Sequence, residues 1–303
     1  MTVDVDVGGR VLRLSTLDRV MWPGPGVTKR DLIDYYVQVA DVLLPHLAGR
    51  PVTLHRFPEG LTGRHFFQTR CPPHPRWLRT VELHYPRTGK TFEAPVVDDL
   101  AGLVWAANLS TVEMHPFLSF VDALDEPTHA VVDLDPGPPA GRVHACAVAL
   151  RVRHLLADAS LVGVVKTSGG KGMHVVVPLA PGATYDVTKA WVRDLARTLT
   201  AEDPGGVIDV MTKARRPGRV FVDWSQNDPG KSTVAPYSLR AGGVRPTVSL
   251  PVTWAEVEAV VHAGDDRGLP AGIPDARARL DRLGDLAAPA LRREQSLPPP
   301  GGG

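Results

Sequence analysis

Only two cysteines, Cys71 and Cys146, occur in 303 residues, too few for a disulfide framework. The chain also lacks a run of about 18 apolar residues and an N-terminal apolar h-region. Neither a membrane span nor a secretion signal is therefore expected, and a cytosolic location is. A strong net charge is missing too: 34 Lys and Arg stand against 33 Asp and Glu, so the total of +1 does not announce a nucleic-acid binder. Internal repeats are absent. The even total hides a local separation. Acids crowd into Asp122 to Asp135, whereas Lys213-Ala214-Arg215-Arg216-Pro217-Gly218-Arg219 is densely basic and is followed by Lys231, Arg240 and Arg245. Such a run is ordinarily a solvated loop.

What is present is a 43% hydrophobic content, enough for one large domain or two lobes around a cleft, with 29 Gly and 29 Pro implying many turns. Val3, Val5 and Val7, then Gly8-Gly9, then Val11 to Leu14 predict a β-hairpin. Thr28 and Asp31 resemble a capping box, and the apolar period predicts one helix over about 29–44. A strand is expected near 51–57, an irregular stretch over 60–90, a short strand at 91–96 and a helix from 98 or 99 to about 108. From residue 128 the pattern tightens to strand 129–134, helix 141–158, strands 161–167 and 173–179, helix 185–200 and strand 219–224. That is the split βαβ order of an RRM-like, mostly antiparallel sheet.

The first of these strands ends in Asp133-Leu134-Asp135-Pro136-Gly137. Side chains alternate along a strand, so Asp133 and Asp135 share a face, an arrangement suited to Mg2+ or Mn2+. Asp-Pro-Gly is equally a good way to end a strand, and both readings stand on these residues alone. Thr167-Ser168-Gly169-Gly170-Lys171-Gly172-Met173-His174 offers backbone N–H groups and a cation to phosphates. It is not a Walker loop, because strands flank it, and an ordinary glycine-rich hairpin is the alternative. Asp223, in Phe221-Val222-Asp223-Trp224-Ser225-Gln226-Asn227, could complete a three-carboxylate site for two metals.

Taken together, these three segments resemble motifs I, II and III of the archaeo-eukaryotic primase superfamily, and more narrowly the polymerase domain of bacterial DNA ligase D. Further similarity lies in Leu17-Asp18-Arg19-Val20, Asp34-Tyr35-Tyr36, Gly49-Arg50-Pro51-Val52, Val112-Glu113-Met114-His115 and Ala235-Pro236-Tyr237-Ser238-Leu239-Arg240, over roughly residues 10–255. The resemblance implies an α+β primase fold, with a mixed N-terminal lobe and an RRM-like catalytic lobe around a DNA cleft. One domain over 1–290 is expected, with lobes of about 1–125 and 126–255, a C-terminal helical segment of about 253–294 and a disordered tail over 295–303.

The implied activity is template-directed, metal-dependent nucleotidyl transfer that fills short gaps or extends 3′ ends at breaks, with ribonucleotides favoured. The implied metal ligands, for two divalent ions, are Asp133, Asp135 and Asp223. Ser168, Lys171, Gly172, His174, His115, Arg240, Arg56 and Gln226 are implied for the nucleotide. Phe66 and Phe67 match aromatics that stack on template bases, Lys29 matches a lysine that helps recognise a downstream 5′-phosphate, and Arg19, Lys213, Arg215 and Arg216 join the DNA-binding set. Implied partners are gapped or broken DNA, nucleoside triphosphates, a separate ligase and Ku, with a monomer at the bacterial nucleoid. No ligase or nuclease segment is expected in the chain. A de novo primase and a non-catalytic module that bridges DNA ends are the rival readings.

The chain departs from the pattern at Thr16 and Arg19, where ligase D domains tend to read Asn and Lys, and at His55, where a lysine is frequent. Two further clusters stand apart. His65, Cys71, His74 and His84 offer a weak zinc pattern, for which solvated loop histidines are the alternative. Segment 275–294, with Arg277, Arg279, Arg282, Arg292 and Arg293, predicts an exposed basic helix.

Overall fold

The computed structural model describes residues 2–85 and 89–298. By its internal contacts the chain divides into two units. One takes Met1–Asp122, Ser232–Val248 and Gly272–Arg277; the other takes Ala123–Lys231, Ser249–Ala271 and Ala278–Gly303.

The first unit opens with the expected hairpin, β1 (Thr2–Val7) paired antiparallel with β2 (Arg10–Ser15). Its turn residues Gly8 and Gly9 have φ of 60° and 79°, two successive left-handed positions that glycine takes without a Cβ penalty. Next come β3 (Val20–Trp22) and β4 (Val27–Thr28), and Thr28 with Asp31 forms the expected capping box on α1 (Lys29–Gln38). The single helix expected over 29–44 is two. α2 (Ala40–Leu47) starts beyond a break at Val39, whose φ of −101° and ψ of 8° interrupt the turn. Leu32, Tyr35 and Tyr36 before the break and Ala40, Leu43 and Leu47 after it are all buried, so the apolar period runs through the bend without revealing it.

Then follow β5 (Val52–Arg56), β6 (Phe66–Gln68), β7 (Thr80–Tyr85) and β8 (Lys90–Pro95). β6 and β7 lie inside the stretch expected to be irregular. Each is specified by a partner more than by its own pattern: β6 pairs with β5, and β7 pairs with β8 along its full length. α3 (Leu100–Asn108) is capped by Asp99, and β9 (Thr111–Pro116), buried throughout, pairs antiparallel with the central strand β5.

The second unit holds β10 (His129–Pro136), α4 (Arg142–Asp158), β11 (Val164–Thr167), β12 (Met173–Pro178), α5 (Tyr185–Glu202), β13 (Val207–Ile208) and β14 (Val220–Asp223). The sheet order is β11-β12-β10-β14-β13, antiparallel except for the parallel β13–β14 edge. The split βαβ order expected from the sequence is therefore present, with β13 added. Ala130, Val132 and Leu134 of β10 join Val175, Val177, Val152, Leu156, Val192 and Leu199 in one core cluster. Each buried Val or Leu contributes about 1.5–3 kcal/mol. This packing fixes the register, because a slip of one residue would turn Asp133 into the core.

The chain ends with β15 (Leu239–Arg240) and β16 (Thr247–Val248), antiparallel within the first unit, then α6 (Trp254–Ala263) and α7 (Ile273–Leu283). The expected basic helix is shorter than 275–294 and only partly exposed. Arg279 is buried, with its guanidinium on the Glu256 carboxylate and the Pro251 carbonyl, so its charge is spent inside the unit. Of the expected tail, residues 299–303 lie outside those described. Gln295 nevertheless donates to the Val162 and Pro178 carbonyls, and Leu297 packs on the core cluster, so an onset of disorder at 295 is too early. No helix among the described residues is long and apolar enough to cross a membrane.

Candidate active site

The motif residues fall in two sets, each inside one unit. In the second unit β10 is central, and its register puts Asp133 directly opposite His174 of β12 on one side and Asp223 of β14 on the other. Direct cross-strand partners point to the same face, so Asp133, Asp135, Asp223 and His174 share the side of the sheet opposite Leu134. The His174 Nε2 lies 3.4 Å from Asp133 Oδ1. Asp135 has Arg216 Nη1 at 3.9 Å, and the same guanidinium lies 3.7 Å over the Phe221 ring and donates to the Met211 carbonyl. Asp223 accepts from the Ser225 N–H at 3.0 Å, the Ser225 hydroxyl at 2.6 Å and Gln226 Nε2 at 3.4 Å, which caps the short turn over Trp224–Asn227. Asn227 then clamps that turn to β10 through both the N–H and the carbonyl of Val131.

Ser168, Lys171 and Gly172 lie on the β11–β12 connection. The Ser168 hydroxyl accepts from the N–H groups of Gly170 at 3.3 Å and Gly172 at 3.2 Å, while the Ser168 N–H donates to the Gly172 carbonyl. A Cβ on Gly172 would fall 2.5 Å from the Leu134 carbonyl oxygen, so only glycine lets the loop lie against β10. Lys171 is exposed at its tip. Lys213 and Arg215 are exposed on their own turn, whereas Arg216 is held against Asp135.

In the first unit β5 and β9 pair His55 with Glu113 and Thr53 with His115. Glu113 gathers the charge: His115 Nε2 at 2.8 Å, Arg240 Nη1 at 3.0 Å, His55 Nδ1 at 3.3 Å and the Ala241 N–H at 2.9 Å. Burial alone would push this carboxyl up, but hydrogen bonds from His115 and His55 and the Arg240 charge outweigh it and hold the group well below the usual carboxylate range. Burial pushes His115 down, against the pull of Glu113. His55 also meets His65, Nε2 to Nδ1 at 3.1 Å, and stacks on Phe67 with ring centroids 3.9 Å apart.

Phe67 is 60% exposed, whereas Phe66 is half-buried beneath the Arg56 and Arg64 guanidinium groups. Arg56 donates to the Leu109 carbonyl and to Gln68. Lys29 is buried, its ammonium on the Ser15 carbonyl at 2.6 Å and the Thr16 hydroxyl at 3.4 Å. Burial, with Arg19 and Arg56 nearby, brings it down to about 8. Arg19 donates to the Pro58 carbonyl.

The sequence reading passed over Glu113 and His55 as a linked pair, and Arg142, which donates to the Gly170 carbonyl. Glu113 and His55 meet across two paired strands and Arg142 reaches Gly170 over 28 residues of chain, so no local spacing signals either link. Among the described residues no group of three or more His, Cys, Asp or Glu is already arranged as a metal cage. His65 meets His55, Cys71 meets His74 and His84 meets Thr91, so the four side chains do not converge on one point, and burial pushes the Cys71 thiol up to about 12. Asp133, Asp135 and Asp223 differ: they offer only oxygen donors on one face of adjacent strands, the donor set of a hard divalent cation.

Residues 28–287 match the family model described as the LigD primase-polymerase domain. The chain is 38% identical over 281 residues to the multifunctional non-homologous end joining protein LigD of Mycolicibacterium smegmatis, covering 92% of this chain and 36% of that protein. It is 31% identical over 250 residues to the bifunctional LigD of Bacillus subtilis, covering 82% and 40%. It thus spans little more than a third of these relatives. Among solved structures, the polymerase domain of Mycobacterium tuberculosis ligase D in complex with DNA matches at a TM-score of 0.84 and 35% identity, over 92% of this chain and 98% of that one. With its mostly antiparallel catalytic-type sheet and these matches, the chain belongs to the LigD primase-polymerase domain family, a nucleotidyltransferase class of enzyme.

Proposed function

We propose that this chain, as one primase-polymerase domain over about 1–290, extends the 3′-hydroxyl of a primer strand on a DNA template at short gaps or broken ends. The observation that carries the reading is the cross-strand row His174, Asp133, Asp223, with Asp135 on the same face and the glycine loop on the adjoining hairpin. Carboxylates facing a polyanion gain nothing for a simple binding module, which argues for catalysis over bridging.

Asp133, Asp135 and Asp223 are the residues to hold two divalent ions, Mg2+ or Mn2+, which when bound supply charge neutralisation at the attacking hydroxyl and the leaving pyrophosphate. The protein's own part is positioning. Lys171 and the Ser168 hydroxyl hold the triphosphate on a loop that Gly172 lets lie close to β10, with His174 beside Asp133. Gln226, bonded to Asp223, acts by orienting that carboxylate. In the first unit, His115 and Arg240, fixed by Glu113, contact the nucleotide, and Arg56 supports them. Phe66 and Phe67 serve the template, Phe67 by its open face, since stacking is worth about 1–3 kcal/mol per base. Lys29 and Arg19 serve a downstream 5′-phosphate, and Lys213 and Arg215 the DNA backbone.

Ribonucleotides are the favoured substrates. The relatives' names point to non-homologous end joining, which supports a broken DNA end as the substrate; the further partners in this reading are a DNA ligase activity and Ku, in the bacterial nucleoid, with this chain acting as a monomer. The test is extension of a primer in a one-nucleotide gap with Mn2+, with both nucleotide types competing, by the wild type and Asp133→Ala. Extension by wild type alone, with ribonucleotides preferred, is the expected result. Equal rates from both proteins would overturn the mechanism, deoxyribonucleotide preference would overturn the sugar choice, and synthesis without a primer would move the chain to the true primases.

A further inference from the structure

The glycine-rich connection between β11 and β12 has two anchors of different kinds. From inside, the Ser168 hydroxyl takes the Gly170 and Gly172 N–H groups. From outside, Arg142, the first residue of α4, donates Nη2 to the Gly170 carbonyl while its Nη1 lies 3.4 Å from Asp266 beyond α6. Its side chain is 18% exposed.

This is an unfavourable place for a cation. The first turn of a helix is the positive end of its dipole, and α4 has no acidic residue of its own there; His144 Nδ1 takes the Gly141 N–H, and the carboxylate that offsets Arg142 comes from Asp266, outside the helix. Local rules of this kind are broken mainly where a residue has a task elsewhere. Gly169, Gly170 and Gly172 lose more conformational freedom on ordering than any other residue type would, so a loop built from them is loose unless something outside it holds it.

We infer that Arg142 is a positioning residue that fixes the tip of the phosphate loop, so that Lys171 and the Ser168 hydroxyl are set before a nucleotide arrives. The inference rests on the proposed triphosphate role of that loop. Asp266 in turn holds the guanidinium, giving a chain from Asp266 through Arg142 to Gly170. Without it, the cost of ordering the loop passes to nucleotide binding and appears in KM, leaving kcat in place.

The experiment compares wild type, Arg142→Ala, Arg142→Lys, Asp266→Ala and Lys171→Ala. Amide hydrogen exchange of 168–172 is measured without nucleotide, and nucleotide KM, kcat and gapped-DNA affinity are measured separately. Arg142→Ala should speed exchange at Gly170–Gly172 alone and raise KM roughly tenfold, with kcat and DNA affinity within about twofold. Arg142→Lys and Asp266→Ala should fall between. Unchanged loop exchange would overturn the inference, as would a parallel loss of kcat and DNA affinity. Lys171→Ala should raise KM without altering exchange. If it leaves KM unchanged while Arg142→Ala still speeds exchange, the triphosphate reading fails and the anchor stands.

Discussion

Asp133 of β10 and Asp223 of β14 face each other as direct cross-strand partners, with His174 opposite Asp133 on the other flank. Like charges in this position destabilise a sheet by about 0.2–1 kcal/mol. A fold tolerates that where the pair serves a ligand. Asp133→Asn should therefore lower extension by about a thousandfold while the melting temperature in metal-free buffer stays level or rises slightly. Loss of activity together with a melting temperature several degrees lower would make the carboxylate structural instead.

Lys29 gives a prediction in pH. With its ordinary value of 10.5 brought down to about 8, mainly by burial, it is charged below pH 8 and neutral above. Only the ammonium attracts a phosphate. The rate advantage of a downstream 5′-phosphate over a 5′-hydroxyl should thus be full near pH 7 and fade as pH rises through 8 to 9. Lys29→Met should show no advantage at any pH, and a wild-type advantage constant to pH 9.5 would remove Lys29 from phosphate recognition.

Thr16 sits at a φ of 50°, a left-handed position that is costly for a β-branched residue. Asparagine accepts it more readily, and strain of this kind is worth about 1–3 kcal/mol. Thr16→Asn is expected to raise stability by about 1 kcal/mol in urea unfolding. A destabilised variant would show that the Thr16 hydroxyl, which donates to the Ser15 carbonyl and meets the Lys29 ammonium, outweighs the strain.

Acid should weaken the first unit through Glu113 and His115. The ordinary values are 4.5 for Glu113 and 6.5 for His115, and both groups lie lower in the fold. A lowered group binds its proton more tightly in the unfolded chain, so its contribution is complete above the ordinary value and lost as pH falls below it. Stability should decline first below about pH 6.5, through His115, and further below about 4.5, through Glu113. Glu113→Gln, which leaves Arg240 without its buried partner, should cost about 3 kcal/mol at neutral pH. Its deficit should shrink toward pH 4; wild-type and variant stability curves that run parallel across this range would refute the linkage.

Much of the second unit is legible in sequence because its signals are local. Alternation along 129–135 sets the shared face of Asp133 and Asp135, and the strand–helix order sets the neighbours of β10. The first unit is less legible. The break at Val39 hides inside a continuous apolar period, and β6 and β7 are defined by the strands they meet. Arg279 reads as solvent-exposed until Glu256 is brought to it.

By itself the sequence determined which residues share a face, where the glycine loop lies and to which family the motifs belong, since each depends on spacing along the backbone. Only the tertiary structure decided what those residues touch. Asp133 pairs across strands with Asp223, Glu113 collects His55 and Arg240 beside its own strand neighbour His115, and Arg142 reaches Gly170; apart from His115, each partner lies tens of residues away in the chain. Cross-strand register and side-chain pairing of that range follow from how the buried faces pack, and no local pattern encodes them.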